Sequence, residues 1–200
     1  MSLTQDVPFN FHAWMYELDR QAWERVRAAG CPECSGPLHA AHYARKARGL
    51  APTALEAGRY ELRLSLCCGR EGCRLRATPP SVRFSGRKVY TALAVLLLSL
   101  PASDRTQRTS EGVVAQPQAP TWATRSRWLR WWRTGLLASS WFGVVRGQFA
   151  TPVDWASSPM SLLARFTGEA RMRWLQLLRL LSPLTTQSVP PESSRIAMAL

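Results

Sequence analysis

Five cysteines fall in two tight groups, and no other feature of the chain narrows its possible structures as much. Cys31 and Cys34 close a CPEC turn, and Cys67, Cys68 and Cys73 lie in CCGREGC. Paired cysteines of this kind form disulfides, run redox chemistry or hold a metal. The opening MSLTQDVPFNFHAWMYELDR has neither the basic start nor the long apolar stretch of an export signal. A reducing, cytoplasmic setting is therefore expected, in which structural disulfides are disfavoured. A redox CxxC would open a thioredoxin-like βαβ unit, and that pattern does not follow here. The remaining reading is a tetrahedral Zn2+ gripped by two preformed pairs.

The expected ligands are Cys31, Cys34, Cys68 and Cys73. Strand alternation puts Cys67 and Cys68 on opposite faces, so only one of them reaches the metal easily. Cys68 is favoured because it leaves the turn CGREGC with glycine at Gly69 and Gly72; Cys67 is then the spare thiol. His39 and His42 lie close to the first pair and stay open as substitute ligands, or as solvent or phosphate contacts on a basic loop. Four thiolates leave no open coordination position, so the ion is expected to be structural and not catalytic. Because metal binding and folding are coupled in small sites, a chelator is expected to unfold residues 31 to 90.

The patterns on either side suggest an α+β chain: a small antiparallel zinc ribbon followed by a mainly helical region. Phe11, Trp14, Leu18, Ala22 and Val26 recur at helical spacing, and Gly30 is placed to end that helix,. Residues 59 to 68 alternate, with Tyr60, Leu62, Leu64 and Leu66 against Arg59, Glu61, Arg63 and Ser65. That predicts one half-buried strand. RLRATPPSVRF reads as the return strand, and Val89 to Leu100 as a hydrophobic helix too short to cross a bilayer,. Residues 101 to 120 turn polar and proline-containing, as a linker would. A helix is predicted from Thr121, breaks at Gly143, Gly147 and Pro152, and one amphipathic helix over Ser161 to Leu181,. The organisation expected is an N-terminal helix over 1–30, a zinc-ribbon-like unit with its trailing helix over 31–100, and a linker over 101–120. A helical, helix-turn-helix-like region over 121–183 and a disordered tail over 184–200 complete it.

Charge points to the partner. The chain has 26 Lys and Arg against 13 Asp and Glu, a net charge of +13, and arginine dominates. A high-GC genome can explain arginine in place of lysine, but not the excess itself. Such an excess suits phosphate or an anionic membrane. Two clusters stand out: Arg45, Lys46 and Arg48 beside the first cysteine pair, and Arg125, Arg127, Arg130 and Arg133 in RSRWLRWWR. On a helix Trp128, Trp131 and Trp132 gather on one side with Arg127, Arg130 and Arg133 roughly opposite. The nucleic-acid reading gives the arginines to phosphates or guanine edges and the tryptophans to a core. A membrane interface and a merely solvated surface helix are the alternatives. Arg74, Arg76, Arg83, Arg87 and Lys88 would extend the basic surface if they share a sheet face. Trp23, Trp155 and Trp174 sit in apolar patterns and are expected in the core.

The order CPEC, an extended loop, a strand ending in cysteine, a further cysteine and then RLRATPPSVRFSGRKVYTALAVLLL resembles the zinc ribbon of insertion-sequence transposases. The resemblance covers about residues 28 to 100 and implies a strand, a polar turn and a hydrophobic helix after the last cysteine. RSRWLRWWR, followed by GQFATPVDW and SLLARF, is similar to the helix-turn-helix half of small transposon-associated proteins. Its preceding helix would fall between Ser103 and Ala115. The catalytic part of that family implies three acidic residues on an RNase-H-like sheet. After the cysteine region the acids are Asp104, Glu111, Asp154, Glu169 and Glu192, and none ends an apolar strand pattern.

The expectation is therefore a zinc-binding, double-stranded-DNA-binding protein associated with a mobile element, without catalytic residues and not an enzyme. A transposase is the implied protein partner, with no small-molecule substrate and no membrane span. The alternative is an adaptor whose zinc ribbon is a scaffold and whose tryptophan surface docks a transposase or polymerase subunit. A metal-dependent nuclease is the third class, disfavoured by the sparse acids.

Overall fold

The protein is described here from a computed structural model covering residues 11–45, 59, 61–85, 91–99 and 121–186. Lys46, Arg48, Tyr60, Arg87 and Lys88, the linker over 101–120, the helix sought between Ser103 and Ala115, and the end of the tail lie outside the described residues.

Helix α1 runs from Phe11 to Ala29. Gly30 ends it with φ +80°, in the left-handed region that glycine enters without a Cβ clash, and its N–H bonds Arg27 O at 3.3 Å,. The buried line on α1 passes through Met15, Asp19 and Ala22. Trp14, expected in the apolar stripe, is 41% exposed instead. The helix is rotated so that Asp19 faces inward, where its carboxylate accepts hydrogen bonds from Ser81 Oγ (2.5 Å), Val82 N (2.8 Å) and Arg83 Nε (2.8 Å). The outer face carries Glu17, Arg20 and Glu24, joined as solvent-exposed ion pairs.

The strands are short and antiparallel: β1 Leu38–Ala40, β2 Tyr43–Ala44, β3 Leu62–Arg63, β4 Leu66–Cys68 and β5 Arg76–Ala77. They form a three-stranded sheet in the order β1-β4-β5 and a separate β2-β3 pair. Leu38 faces Cys68 and Ala40 faces Leu66, which in turn faces Ala77. The single strand expected over 59–68 is thus two strands, because the chain changes sheets at Leu64 and Ser65. Its polar face is solvated only at its start: Arg59 and Glu61 are exposed, whereas Arg63 is 2% and Ser65 0% exposed. Both are satisfied inside, Arg63 donating to Pro79 O at 2.5 Å and Ser65 Oγ to Ala77 O at 3.4 Å,. Beyond β5, Phe84 bridges to Thr91, and helix α2 spans Ala92–Leu98.

The remaining elements are helical. Helix α3, Trp122–Arg130, is capped by Thr121, whose Oγ1 accepts the Thr124 N–H at 3.3 Å,. It widens into a π-helical turn over Trp131–Gly135, closed by Leu136 N to Trp131 O at 2.8 Å,. Gly135 lies under the Trp131 indole, where a Cβ would come within 2.6 Å of Trp131 Cδ1. Helix α4 is Ser140–Val145, α5 Met160–Leu163 and α6 Ala170–Leu181. Two expectations change here. Gly143 lies inside α4 with open space where a Cβ would be, so it does not break the helix. The helix expected over Ser161 to Leu181 is broken between α5 and α6, where Gly168 takes φ +96°.

Two apolar clusters organise the molecule. The larger joins Met15 of α1, Leu93 and Leu96 of α2, Trp132, Leu136 and Trp141, and Trp174, Leu177 and Leu178 of α6. At about 25 cal/mol per Å2, each buried indole contributes on the order of 4–6 kcal/mol of transfer free energy. Two of the N–H groups are bonded inside: Trp132 Nε1 donates to Ser99 Oγ and Trp141 Nε1 to Leu180 O, each at 3.0 Å. The smaller cluster is Cys31, Leu38, Leu66, Cys68 and Ala77, covered by Trp23 and Val26 of α1. Helix α1 therefore touches both clusters, and the Asp19–Arg83 pair sits along its inner face. Among the described residues no helix is long and apolar enough to cross a membrane.

Candidate metal centre and basic surface

Two turns build the site, and they close alike. In the first, Cys31 N donates to Gly36 O at 2.9 Å; in the second, Cys68 N donates to Leu75 O at 2.8 Å. Each acceptor is the second residue after the later cysteine. The residue between is left-handed in both, Ser35 at φ +56° and Arg74 at φ +50°. The longer second turn absorbs its two additional residues with Gly72 at φ +82°,. Gly69 N then donates to Pro37 O at 2.9 Å, locking one turn to the other.

The sulfurs of Cys31, Cys34, Cys68 and Cys73 all lie within 4.8 Å of one another. Cys31 Sγ is 3.7 Å from Cys73 Sγ, and Cys34 Sγ is 3.5 Å from Cys68 Sγ. These are too long for disulfides, whose S–S bond is ~2.05 Å, and all five cysteines are free. A tetrahedron built on metal–sulfur bonds of ~2.3 Å has edges of about 3.8 Å. The cluster is thus sized for one tetrahedral ion, and these two contacts run from turn to turn. A Cβ at Gly36 would stand 3.3 Å from both Cys34 Sγ and Cys68 Sγ. Glycine keeps that side of the cluster clear. A compact four-sulfur set of this kind suits zinc or iron.

Backbone N–H groups aim at the sulfurs, as they do where thiolate charge must be stabilised. The Gly36 N–H is the main cause drawing the Cys34 thiol down to about 7. The Arg70 N–H donates to Cys68 Sγ at 3.4 Å and favours its thiolate, yet burial and the Cys34 sulfur push Cys68 upward overall. At Cys73 the Leu75 N–H likewise favours the thiolate, but the neighbouring Cys34 and burial prevail and push it up to about 12. The sulfurs resist sharing negative charge among themselves, which a cation at their centre would relieve.

The other candidates are placed elsewhere. Cys67 points its sulfur to Arg74 O at 3.5 Å and does not belong to the four-sulfur group. His42 accepts the Ser65 N–H on Nδ1 at 3.2 Å and meets the Trp23 ring edge-on, a structural role. His39 is exposed and lies over Gly69, where a Cβ would come within 2.4 Å of its Nε2. Neither histidine joins the sulfurs.

Of the basic residues, Arg45 is half-buried with its guanidinium over the Phe84 ring at 5.4 Å. Arg70, Arg74 and Arg76 are exposed around the cysteine turns. Arg83, expected on the same basic face, is fully buried: it pairs with Asp19 and donates to Arg59 O and Leu62 O at 3.1 and 2.8 Å. Arg125 is half-buried, while Arg127, Arg130 and Arg133 are exposed on α3 and its π-helical turn. Among the described residues no carboxylate pairs with those three. Trp128 and Trp132 turn to the core, 5% and 1% exposed. No protein-family model, curated protein or solved structure matches the chain.

Proposed function

We propose that Cys31, Cys34, Cys68 and Cys73 hold one structural Zn2+ in a zinc ribbon, and that the protein binds double-stranded DNA through its exposed arginines. The four-sulfur cluster, with its 3.5 and 3.7 Å edges, carries the metal half of this reading. Four thiolates fill a tetrahedron and leave no place for a reacting water, so the ion holds the fold and performs no chemistry. The DNA half is supported by Arg127, Arg130 and Arg133, which pair with no carboxylate among the described residues, on a chain of net charge +13. Phosphate contacts of this kind are independent of sequence and strongly salt-dependent. An accessory or remnant role beside a transposase is supported by the transposase-like order of the cysteine region, and no nuclease centre is proposed.

Metal analysis of the purified protein tests the first half. One zinc per chain is expected, lost in Cys31→Ser/Cys34→Ser and kept in Cys67→Ser; stoichiometric iron, or no metal in a folded protein, would overturn it. Duplex binding followed by anisotropy tests the second. Replacing Arg127, Arg130 and Arg133 together by alanine should lower the slope of log affinity against log salt by about one for each phosphate that is no longer neutralised. Affinity that ignores salt, or survives the triple replacement unchanged, would rule out DNA binding by this face.

A further inference from the structure

Helix α3 carries one tryptophan that the core does not use. Trp128 and Trp132 are buried, whereas Trp122, the first residue of the helix, is 80% exposed. An indole has the largest apolar surface of any side chain, and leaving it in water forgoes several kcal/mol of burial. Its position is informative. Steps of four lead from Trp122 through Ser126 to Arg130, so these share one line along the helix with Arg127 beside it, and exposed Arg133 follows on the π-helical turn,. The chain has no Asp or Glu between Glu111 and Asp154. The outer face of α3 and its π-helical turn presents a flat aromatic ring and three cations that, among the described residues, pair with no carboxylate.

Three kinds of anionic surface attract such a face, and its details separate them. An anionic membrane takes up a helix by its apolar side. Here that side is spent on the core, with Trp132 Nε1 bonded to Ser99 Oγ at 3.0 Å. Duplex DNA offers phosphates to the arginines, but its bases are already stacked on one another and give an indole no face to cover. An unpaired strand offers both: phosphates along one side and open base faces on the other. The stretch from Trp122 to Arg133 is about 16 Å long at a helical rise of ~1.5 Å per residue.

We infer that the outer face of α3 is a site for single-stranded DNA, including the unpaired end of a duplex, in which Trp122 stacks on a base and Arg127, Arg130 and Arg133 take the phosphates. This rests on the reading that the arginine face binds nucleic acid, and adds what form of nucleic acid it prefers. The indole supplies affinity only where a base is free, so the site separates unpaired from paired strands.

The test uses the full-length, metal-loaded protein with a labelled oligodeoxythymidine of about 15 nucleotides, a duplex of equal length, and vesicles containing phosphatidylserine. Trp122→Ala should weaken binding to the oligonucleotide roughly 5- to 150-fold, the range for losing one base–aromatic stack. Duplex affinity should stay within about twofold of the parent, and Trp122→Tyr should restore most of the loss. Equal oligonucleotide binding by Trp122→Ala and the parent protein would overturn the inference. So would an equal loss on the duplex, or a loss confined to vesicles. If the parent protein binds the duplex in a salt-dependent way while Trp122→Ala changes nothing, only this inference falls. If the parent binds neither nucleic acid, the DNA reading falls with it.

Discussion

Cys34 and Cys73 sit in one sulfur cluster yet titrate at opposite ends of the thiol range, about 7 and about 12. The signs follow from which form the fold favours. A thiol drawn down to about 7 gives the metal-free fold stability above the free-thiol value of ~8.5, lost as pH falls through 7. A thiol pushed up to about 12 gives stability below ~8.5, lost as pH rises towards 12. Near neutrality Cys34 is therefore partly thiolate while Cys73 keeps its proton, and an entering ion must displace it. Each displaced proton makes affinity about tenfold stronger per pH unit. Zinc affinity, measured by competition with a chelating dye, should rise steeply with pH. The rise should be steepest below about 7, where Cys34 must also give up a proton. An affinity independent of pH would show that the thiols are not the ligands.

Helix α1 combines an ion pair with apolar packing on its inner face. Asp19 compensates Arg83 directly at 2.8 Å. It also opposes the downward pull that burial exerts on the Arg63 guanidinium. Replacing one partner of a buried pair leaves the other charged and unpaired, at a cost of ~3–5 kcal/mol. Asp19→Ala should lower unfolding stability in urea by about that much, and adding Arg83→Met should recover part of it. A loss below ~1 kcal/mol would mean that the pair does not hold α1 in place. The same pair explains the rotation of the helix: Asp19 lies on the buried line with Met15 and Ala22, facing Arg83. Arg83 lies 64 residues away along the chain, and no local pattern links the two.

At the scale of the molecule, the two clusters should respond differently to metal removal. Cys31, Leu38, Leu66, Cys68 and Ala77 bury too little apolar surface to hold three short strands unaided,. Structural zinc contributes roughly 10–16 kcal/mol to folding such sites. Val82, Leu93 and Leu96 belong instead to the tryptophan-rich cluster. A strong chelator should therefore unfold residues 31 to 77 rather than the whole stretch to 90. Hydrogen exchange should show protection lost in β1, β4 and β5 and kept in α6. Unchanged protection in the strands would contradict a metal-dependent fold there.

The amino-acid sequence by itself determined the features that depend on neighbours along the chain. These are the two cysteine turns, the preference for Cys68 over Cys67 by strand alternation, the Gly30 stop, the Thr121 start, and the division of tryptophans from arginines on α3. Each follows from a short-range rule of geometry or ligand spacing. Only the tertiary structure decided what depends on distant partners: that Arg83 is buried against Asp19, that residues 62 to 68 split between two sheets, and that Trp122 faces water while Trp128 on the same helix packs inward. Burial is a property of what packs across from a residue, and a partner tens of residues away leaves no mark in the local pattern.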